Sequence, residues 1–289
     1  MANNIELFKQ YVTLLDEVYK LASLTGVLDG AADLARQGAN ADELIIPKID
    51  MSGLANYSRN GGYVDGEVTL TNETVKCNFD RGRMFTVDYL DNAETAGIAF
   101  GRLASEFIRT KVVPELDAFR LAKYASIEGI GKGSGALATG ANVITALRAA
   151  INAMDEAEVP QTDRHLFITP TLAGMIDDLD TTKSKKVMDS FASVVKVPQS
   201  RFYTGIKQLS GASGEAAGGY TKADGAKNIN FAIIHKPAVI QYQKHVAPKV
   251  ITPEANQSSD GWKFGYRNVG IADAYENKVA GIYLHTDET

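Results

Sequence analysis

Residues 52–90 constrain the fold most strongly, because turn signals alternate there with strand-like runs. Apolar and polar residues alternate around Leu70 and again from Val75 to Phe79, which predicts a long β-hairpin with one face that requires burial. The chain offers no nearby helix pattern before Asp91 that could cover this face, and a lone two-stranded hairpin is marginal in water. The expected cover is a neighbouring subunit, and the alternative is that the hairpin folds back on its own domain as an ordinary sheet.

A long helix is predicted from Asp91 to about Glu128. Asp91 and Glu94 fit a capping box, and apolar residues recur after them at helical spacing. Pro114 lacks an N–H and its ring crowds the carbonyl of Thr110, so we expect a kink there. At 1.5 Å per residue the element spans about 50 Å.

The segments before the predicted hairpin and after the predicted long helix have less regular patterns. Residues 4–24 have the apolar spacing of an amphipathic helix, 26–42 read as an extended or mobile arm, and Glu43 to Lys48 reads as a short strand. After the long helix we expect a Gly-rich hinge (129–140), helices at 141–157 and 183–195, a strand at 164–169, a helix with Pro170 at its first position, a flexible loop (210–228), a buried strand (229–235) and a tail of strands and turns (238–285).

Composition excludes several classes of protein. The 289 residues carry a net charge of −5 and show no basic stripe, which argues against a protein that grips nucleic acid through its phosphates. The single cysteine, Cys77, excludes an intrachain disulfide and a Cys-rich metal site, and it suggests a reducing cytoplasm. The sequence offers no signal peptide and no apolar run long enough for a membrane helix.

No pattern predicts a chemical site. The Gly-rich string from Gly129 to Gly135 lacks the upstream glycine and the Gly-Lys-Ser/Thr ending of a phosphate loop, so a hinge is the better interpretation. The four histidines are scattered without ligand spacing, and Asp177, Asp178 and Asp180 are more typical of a helix end than of a metal site. We therefore predict no catalytic residue, no metal and no cofactor, and we expect that the protein is not an enzyme.

Five strings occur in a specific order along the chain. They are Gly53-Leu54-Ala55-Asn56-Tyr57-Ser58-Arg59 leading into Asn60-Gly61-Gly62-Tyr63, then Phe79-Asp80-Arg81-Gly82-Arg83 with Phe85 and Asp88, then Asp91 with Glu94-Thr95, then Val112-Val113-Pro114-Glu115-Leu116-Asp117-Ala118-Phe119-Arg120, and finally Asn277-Lys278-Val279-Ala280-Gly281-Ile282-Tyr283-Leu284-His285. Together they resemble the major capsid proteins of tailed bacteriophages, which have the Hong Kong 97-type fold. Each string alone is weak, and their order over nearly the whole chain makes the resemblance specific.

The resemblance implies an α+β architecture with four parts. Residues 1–50 would be an N-terminal arm, and 51–90 an extended loop that reaches over a neighbouring subunit. Residues 91–136, with the helix as spine, and 243–289 would form a peripheral domain, and 137–242 an axial domain. The candidate intersubunit residues in these parts are Tyr57, Arg59, Tyr63, Arg81, Arg83, Asp88, Glu94, Glu115 and Asp117.

The same resemblance implies a structural function. The chain would assemble with itself into pentamers and hexamers of an icosahedral virion shell around double-stranded DNA, without sequence-specific binding and without a membrane. A separate scaffolding protein and a portal would be partners, because the chain begins almost at once with the arm, and assembly would occur in the host cytoplasm. Lys76, the only lysine between Met51 and Asp91, lies on a predicted strand, so covalent crosslinking is not expected. An encapsulin-like compartment shell is the alternative function, and an α/β enzyme is a less favoured one.

Overall fold

The computed structural model describes residues 23–30, 36–37, 43–89, 98–179 and 182–287. Its strands are β1 (Arg36–Gln37), β2 (Glu43–Met51), β3 (Val68–Lys76), β4 (Phe79–Asp88), β5 (Gly131–Ser134), β6 (Arg164–Ile168), β7 (Ser193–Lys196), β8 (Ile206–Gln208), β9 (Tyr220–Lys222), β10 (Ile229–His235), β11 (Val239–Ile251), β12 (Gly261–Ala274) and β13 (Ile282–Thr286). Its helices are α1 (Ile98–Phe107), α2 (Val113–Ser126), α3 (Gly140–Glu156), α4 (Pro170–Asp177) and α5 (Thr182–Met188). The mixture of helix and sheet agrees with the expected α+β class.

A π-helical segment, Ile108–Val112, joins α1 to α2, and we call the three together the spine helix. Where we expected a kink at Pro114, the structure has this wider turn, which ends just before the proline, so that the missing N–H of Pro114 falls in the first turn of α2. The Thr110 hydroxyl donates a 2.7 Å hydrogen bond to the Glu106 carbonyl in the same turn. The helix ends at Ser126, two residues before the predicted end.

The spine helix packs on a three-stranded antiparallel sheet of order β11-β12-β4. Apolar residues at alternate positions of β12 and β4 face the helix, because successive side chains of a strand point to opposite faces. Their cluster comprises Phe79, Ala104, Ile108, Val113, Leu116, Phe264 and Tyr266. The register pairs Phe85 with Phe264 and Arg83 with Tyr266.

A second sheet has five strands in the order β5-β13-β10-β6-β7. All five residues of β6 are buried, and α3, α4 and α5 cover the sheet through Leu147, Ile176 and Val187. Thr139 caps α3 by accepting a hydrogen bond from the N–H of Asn142, and Pro170 opens α4 as predicted. A small hairpin of β8 and β9 lies outside this sheet.

Two predictions in this region are corrected. The Gly-rich hinge is in part an ordered strand, since β5 pairs in parallel with β13, where Gly131 leaves room for the ring of Tyr283. The predicted helix at 183–195 ends at Met188, and Ser193–Lys196 pairs in parallel with β6. Strand β13, which lies within the range expected to form the peripheral domain, pairs antiparallel with β10.

The hairpin prediction is also corrected in its pairing. Strand β2 pairs with β3, from Glu43 opposite Lys76 to Met51 opposite Val68. Strand β4, which we predicted as part of the hairpin, is the edge strand of the three-stranded sheet. The hairpin therefore includes the strand that we expected to be a short one in the arm.

The predicted helix at 4–24, most of the predicted arm and the capping box at Asp91 lie largely or wholly outside the described residues. Within the described residues, no helix has both the length and the apolar character that crossing a membrane would require.

Candidate assembly surfaces

The hairpin of β2 and β3 presents apolar side chains to solvent. Ile49 lies opposite Leu70 and Met51 lies opposite Val68, so the four share one face of the hairpin. Each is at least 60% exposed, while Val75, near the base of β3, is buried. We call Ile49, Met51, Val68 and Leu70 the hairpin face.

The tip of the hairpin brings together three predicted intersubunit residues. The rings of Tyr57 and Tyr63 lie 4.9 Å apart across a turn in which Ser58 and Gly62 exchange backbone hydrogen bonds. Gly62 has a φ of 76°, which explains the Gly at this position. Arg59 lies in the same turn. The side chains of Tyr57, Arg59 and Tyr63 are exposed to solvent, with Tyr63 89% exposed, whereas Gly62 is half-buried.

Arg81 and Arg83 of β4, predicted at an intersubunit boundary, have partners within the chain. Arg81 Nε donates a 2.7 Å hydrogen bond to Glu115 Oε1 on the spine helix, and its Nη2 donates to the carbonyl of Leu209 at 2.7 Å. Arg83 donates to the carbonyls of Ala216 and Ala217. These bonds hold the loop that joins β8 to β9, which we predicted to be flexible. We call residues 209–219 the clasped loop.

Asp117, another predicted intersubunit residue, is fully buried on α2 and binds the segment that precedes β1. Its carboxylate accepts hydrogen bonds from the N–H groups of Leu24 and Thr25 and from the hydroxyls of Ser23 and Thr25. Arg201 supplies a positive charge 3.4 Å away. A buried carboxylate needs this many donors to offset its lost hydration.

Three further buried polar residues complete this attachment, and none of them was a predicted site residue. Arg120 donates to the Thr25 hydroxyl and lies 3.4 Å from Asp29. Gln241 of β11 donates to the Thr25 carbonyl and to Asp29, and accepts from the hydroxyl of Tyr124, whose pKa burial raises strongly. The only signal was spacing, since positions 117, 120 and 124 share one helix face. We call Asp117, Arg120, Tyr124 and Gln241 the anchor cluster.

The two remaining predicted residues are Asp88 and Glu94. Asp88 is exposed at the end of β4, where it pairs in register with Gly261. Glu94 lies outside the described residues. Among the residues that the structure describes, no group of three or more His, Cys, Asp or Glu side chains is arranged to hold a metal ion.

No protein-family model matches the sequence, and no curated protein is similar to it. Solved structures do match the fold. The virus-like particle from Pyrococcus furiosus is 13% identical, with a TM-score of 0.60 over 97% of this chain and 99% of that one. The mature capsid of bacteriophage PhiM1 is 11% identical, with a TM-score of 0.56 over 89% and 84% of the two chains. The capsid of the Myoviridae phage XM1 is also 11% identical, with a TM-score of 0.54 over 91% and 90%. The chain therefore has the fold of tailed-phage major capsid proteins, as its ordered strings implied.

Proposed function

We propose that this protein is the major subunit of a phage capsid and that it acts as a structural component, by assembling with copies of itself. The observation that carries the proposal is the hairpin face, which lies on a capsid-like fold and has no cover within the described residues of its own chain. Burying one such aliphatic side chain is worth roughly 1.5–3 kcal/mol. A closed shell repeats the same contact in every subunit, so modest interfaces add to a large total.

In this proposal the subunits form pentamers and hexamers of an icosahedral shell around double-stranded DNA. A scaffolding protein and a portal are the further partners, and the shell assembles in the host cytoplasm before it becomes part of the virion. We assign the roles within the subunit by range: an arm (1–50), an extended loop (51–90), a peripheral domain (91–136 and 243–289) and an axial domain (137–242). Tyr57, Arg59 and Tyr63 at the tip are the predicted residues best placed for contact with a neighbour. Arg81, Arg83, Glu115 and Asp117 shape the subunit from within.

An encapsulin-like compartment shell is a second candidate, because the structural match with the virus-like particle from Pyrococcus furiosus covers nearly all of both chains. The two functions differ in what the particle encloses. Purified particles treated with nuclease should protect DNA of a uniform length if the protein is a phage capsid, and should hold protein instead if it is a compartment.

Paired variants test the assembly function. Leu70→Lys places a charge on the hairpin face, and Thr71→Lys places the same charge on the opposite face of the same strand, where the side chain is also exposed. Both subunits should melt like the wild type, and only Leu70→Lys should fail to assemble. Equal assembly by both variants would contradict the proposal.

A further inference from the structure

The side-chain amide of Asn268 is buried and has no hydrogen-bond partner in the described part of the chain. Asn268 lies in the middle strand of the three-stranded sheet, opposite Arg81 of β4 and Val246 of β11, and its side chain is on the face that the spine helix covers. The residue is 1% exposed, and neither Nδ2 nor Oδ1 has a hydrogen-bond partner among the residues that the structure describes. Buried amides in folded proteins are nearly always satisfied, because an orphaned one loses its hydration without compensation.

A cavity of about 90 Å³ lies beside this amide. Three parts of the fold enclose it: β4 contributes Arg81 and Arg83, the spine helix contributes Glu115, and the clasped loop closes one side with Gly218 and Gly219. A single water needs roughly 10–15 Å³ of such space, so the cavity has room for a group much larger than one water. Gly218 has a φ of 65°, a left-handed conformation that residues with a side chain rarely adopt, so glycine is favoured at this point of the wall.

The walls of the cavity favour an anion. Glu115 neutralises the charge of Arg81 through their 2.7 Å ion pair. The charge of Arg83 therefore gives these three side chains a net positive charge. Arg81 is fixed by Glu115 and by two carbonyls of the clasped loop, so its guanidinium is preorganised. Guanidinium and amide N–H groups together are the usual donors to oxyanions, and a partly protonated oxyanion also carries an O–H that can donate to Asn268 Oδ1.

We propose that this cavity binds a small free oxyanion of the size of inorganic phosphate, held by Asn268 and Arg83 against the Arg81–Glu115 pair. The anion joins the sheet, the spine helix and the clasped loop. Its binding steadies the loop relative to the sheet. This site is independent of the hairpin face and of the proposed assembly.

Calorimetric titration of the full-length protein with sodium phosphate, at constant ionic strength maintained with chloride, tests the proposal. The wild type should bind one phosphate per chain with saturable heat. Asn268→Asp should weaken binding at least tenfold, because it places a carboxylate against the anion. Arg83→Gln, a change at an exposed residue, should weaken it several-fold. Asn72→Asp, which makes the same charge change at an exposed position on β3, should bind like the wild type.

Several outcomes would overturn the proposal. The absence of phosphate-specific heat would show a cavity filled by water alone. Equal binding by Asn268→Asp and the wild type would place the anion elsewhere. A single-stranded DNA lacking terminal phosphate, if it bound in an Asn268-dependent way, would show that the site takes a nucleic-acid backbone and not a free anion. Melting curves of each variant without phosphate establish that it is folded.

Discussion

The hydroxyl of Thr25 donates a 2.7 Å hydrogen bond to the carboxylate of Asp117, 92 residues later in the chain. Both side chains are fully buried. The bond fixes the point at which residues 23–25 join the spine helix. The anchor cluster thus holds the segment that precedes the hairpin in the sequence against the spine helix.

Asp117→Ala should lower the free energy of unfolding by about 3–5 kcal/mol, because it leaves Arg201 without its buried counter-charge and orphans the backbone N–H groups of Leu24 and Thr25. Urea unfolding followed by the fluorescence of Trp262, the single tryptophan, measures this loss. Asp80→Ala is the matched control, since its ion pair with Arg267 is exposed on both sides and is worth no more than about 1 kcal/mol. Equal losses in the two variants would show that the anchor cluster does not stabilise the fold.

Gly140→Ala should destabilise the packing of α3 on α4 by about 1–3 kcal/mol, because the added Cβ would overlap the carbonyl oxygen of Met175. Gly174→Ala, on α4 itself, meets no atom within 4 Å and should stabilise that helix by up to about 1 kcal/mol. Thermal melts of the two variants should therefore shift in opposite directions. A melt of Gly140→Ala at or above that of the wild type would contradict the described packing.

Acid should destabilise the five-stranded sheet. Burial lowers the pKa of His165, His235 and His285 below the ordinary value of about 6.5. A group whose pKa is lower in the folded state contributes stability that is complete above about pH 6.5 and is lost as the pH falls through that value toward the folded pKa. The loss is at most about 1.4 kcal/mol per pH unit for each histidine.

Urea midpoints measured from pH 8 to pH 5 test this dependence. His285→Gln removes one titrating group, which stacks on Phe231 with ring centroids 4.9 Å apart, and should make the decline shallower. A midpoint that is flat from pH 8 to pH 5, or a slope that His285→Gln leaves unchanged, would show that burial of these rings does not control acid stability.

Particles should be held together without covalent bonds between subunits. Lys76 lies at the end of β3, opposite Glu43, and Cys77 is half-buried beside it. Denaturing gels of mature particles without reductant should show one monomer band. A ladder of oligomers would contradict this, and its collapse on adding reductant would assign the links to Cys77.

The sequence predicted those elements whose signals are local. Pro170 after Thr169 marked the start of α4, and the apolar run at 229–235 marked β10. The pairing partners of the strands were harder to predict. The alternation of apolar and polar residues in 79–88 is compatible with any antiparallel neighbour, and only the tertiary fold shows that β4 pairs with β12 and not with β3. The helix predicted at 183–195 failed because Ser193–Lys196 gains a ladder with β6, which no local pattern reveals.

The candidate residues also differ in whether their partners are near or distant in the sequence. Tyr57, Arg59 and Tyr63 lie close together in sequence, and one turn gathers them. The roles of Arg81 and Arg83 depend on carbonyl groups more than 120 residues away, and every chain has carbonyls at every position. Asp117 was singled out by its string, but its partners at residues 23–25 became visible only in the fold.

Cryo-electron microscopy of the purified protein, with its scaffolding partner supplied, tests the central claim most directly. We predict closed shells in which the hairpin face of each subunit, with Ile49 and Leu70 at its centre, is covered by a neighbouring subunit. A protein that stays monomeric under these conditions, or shells in which that face remains open to solvent, would contradict the account.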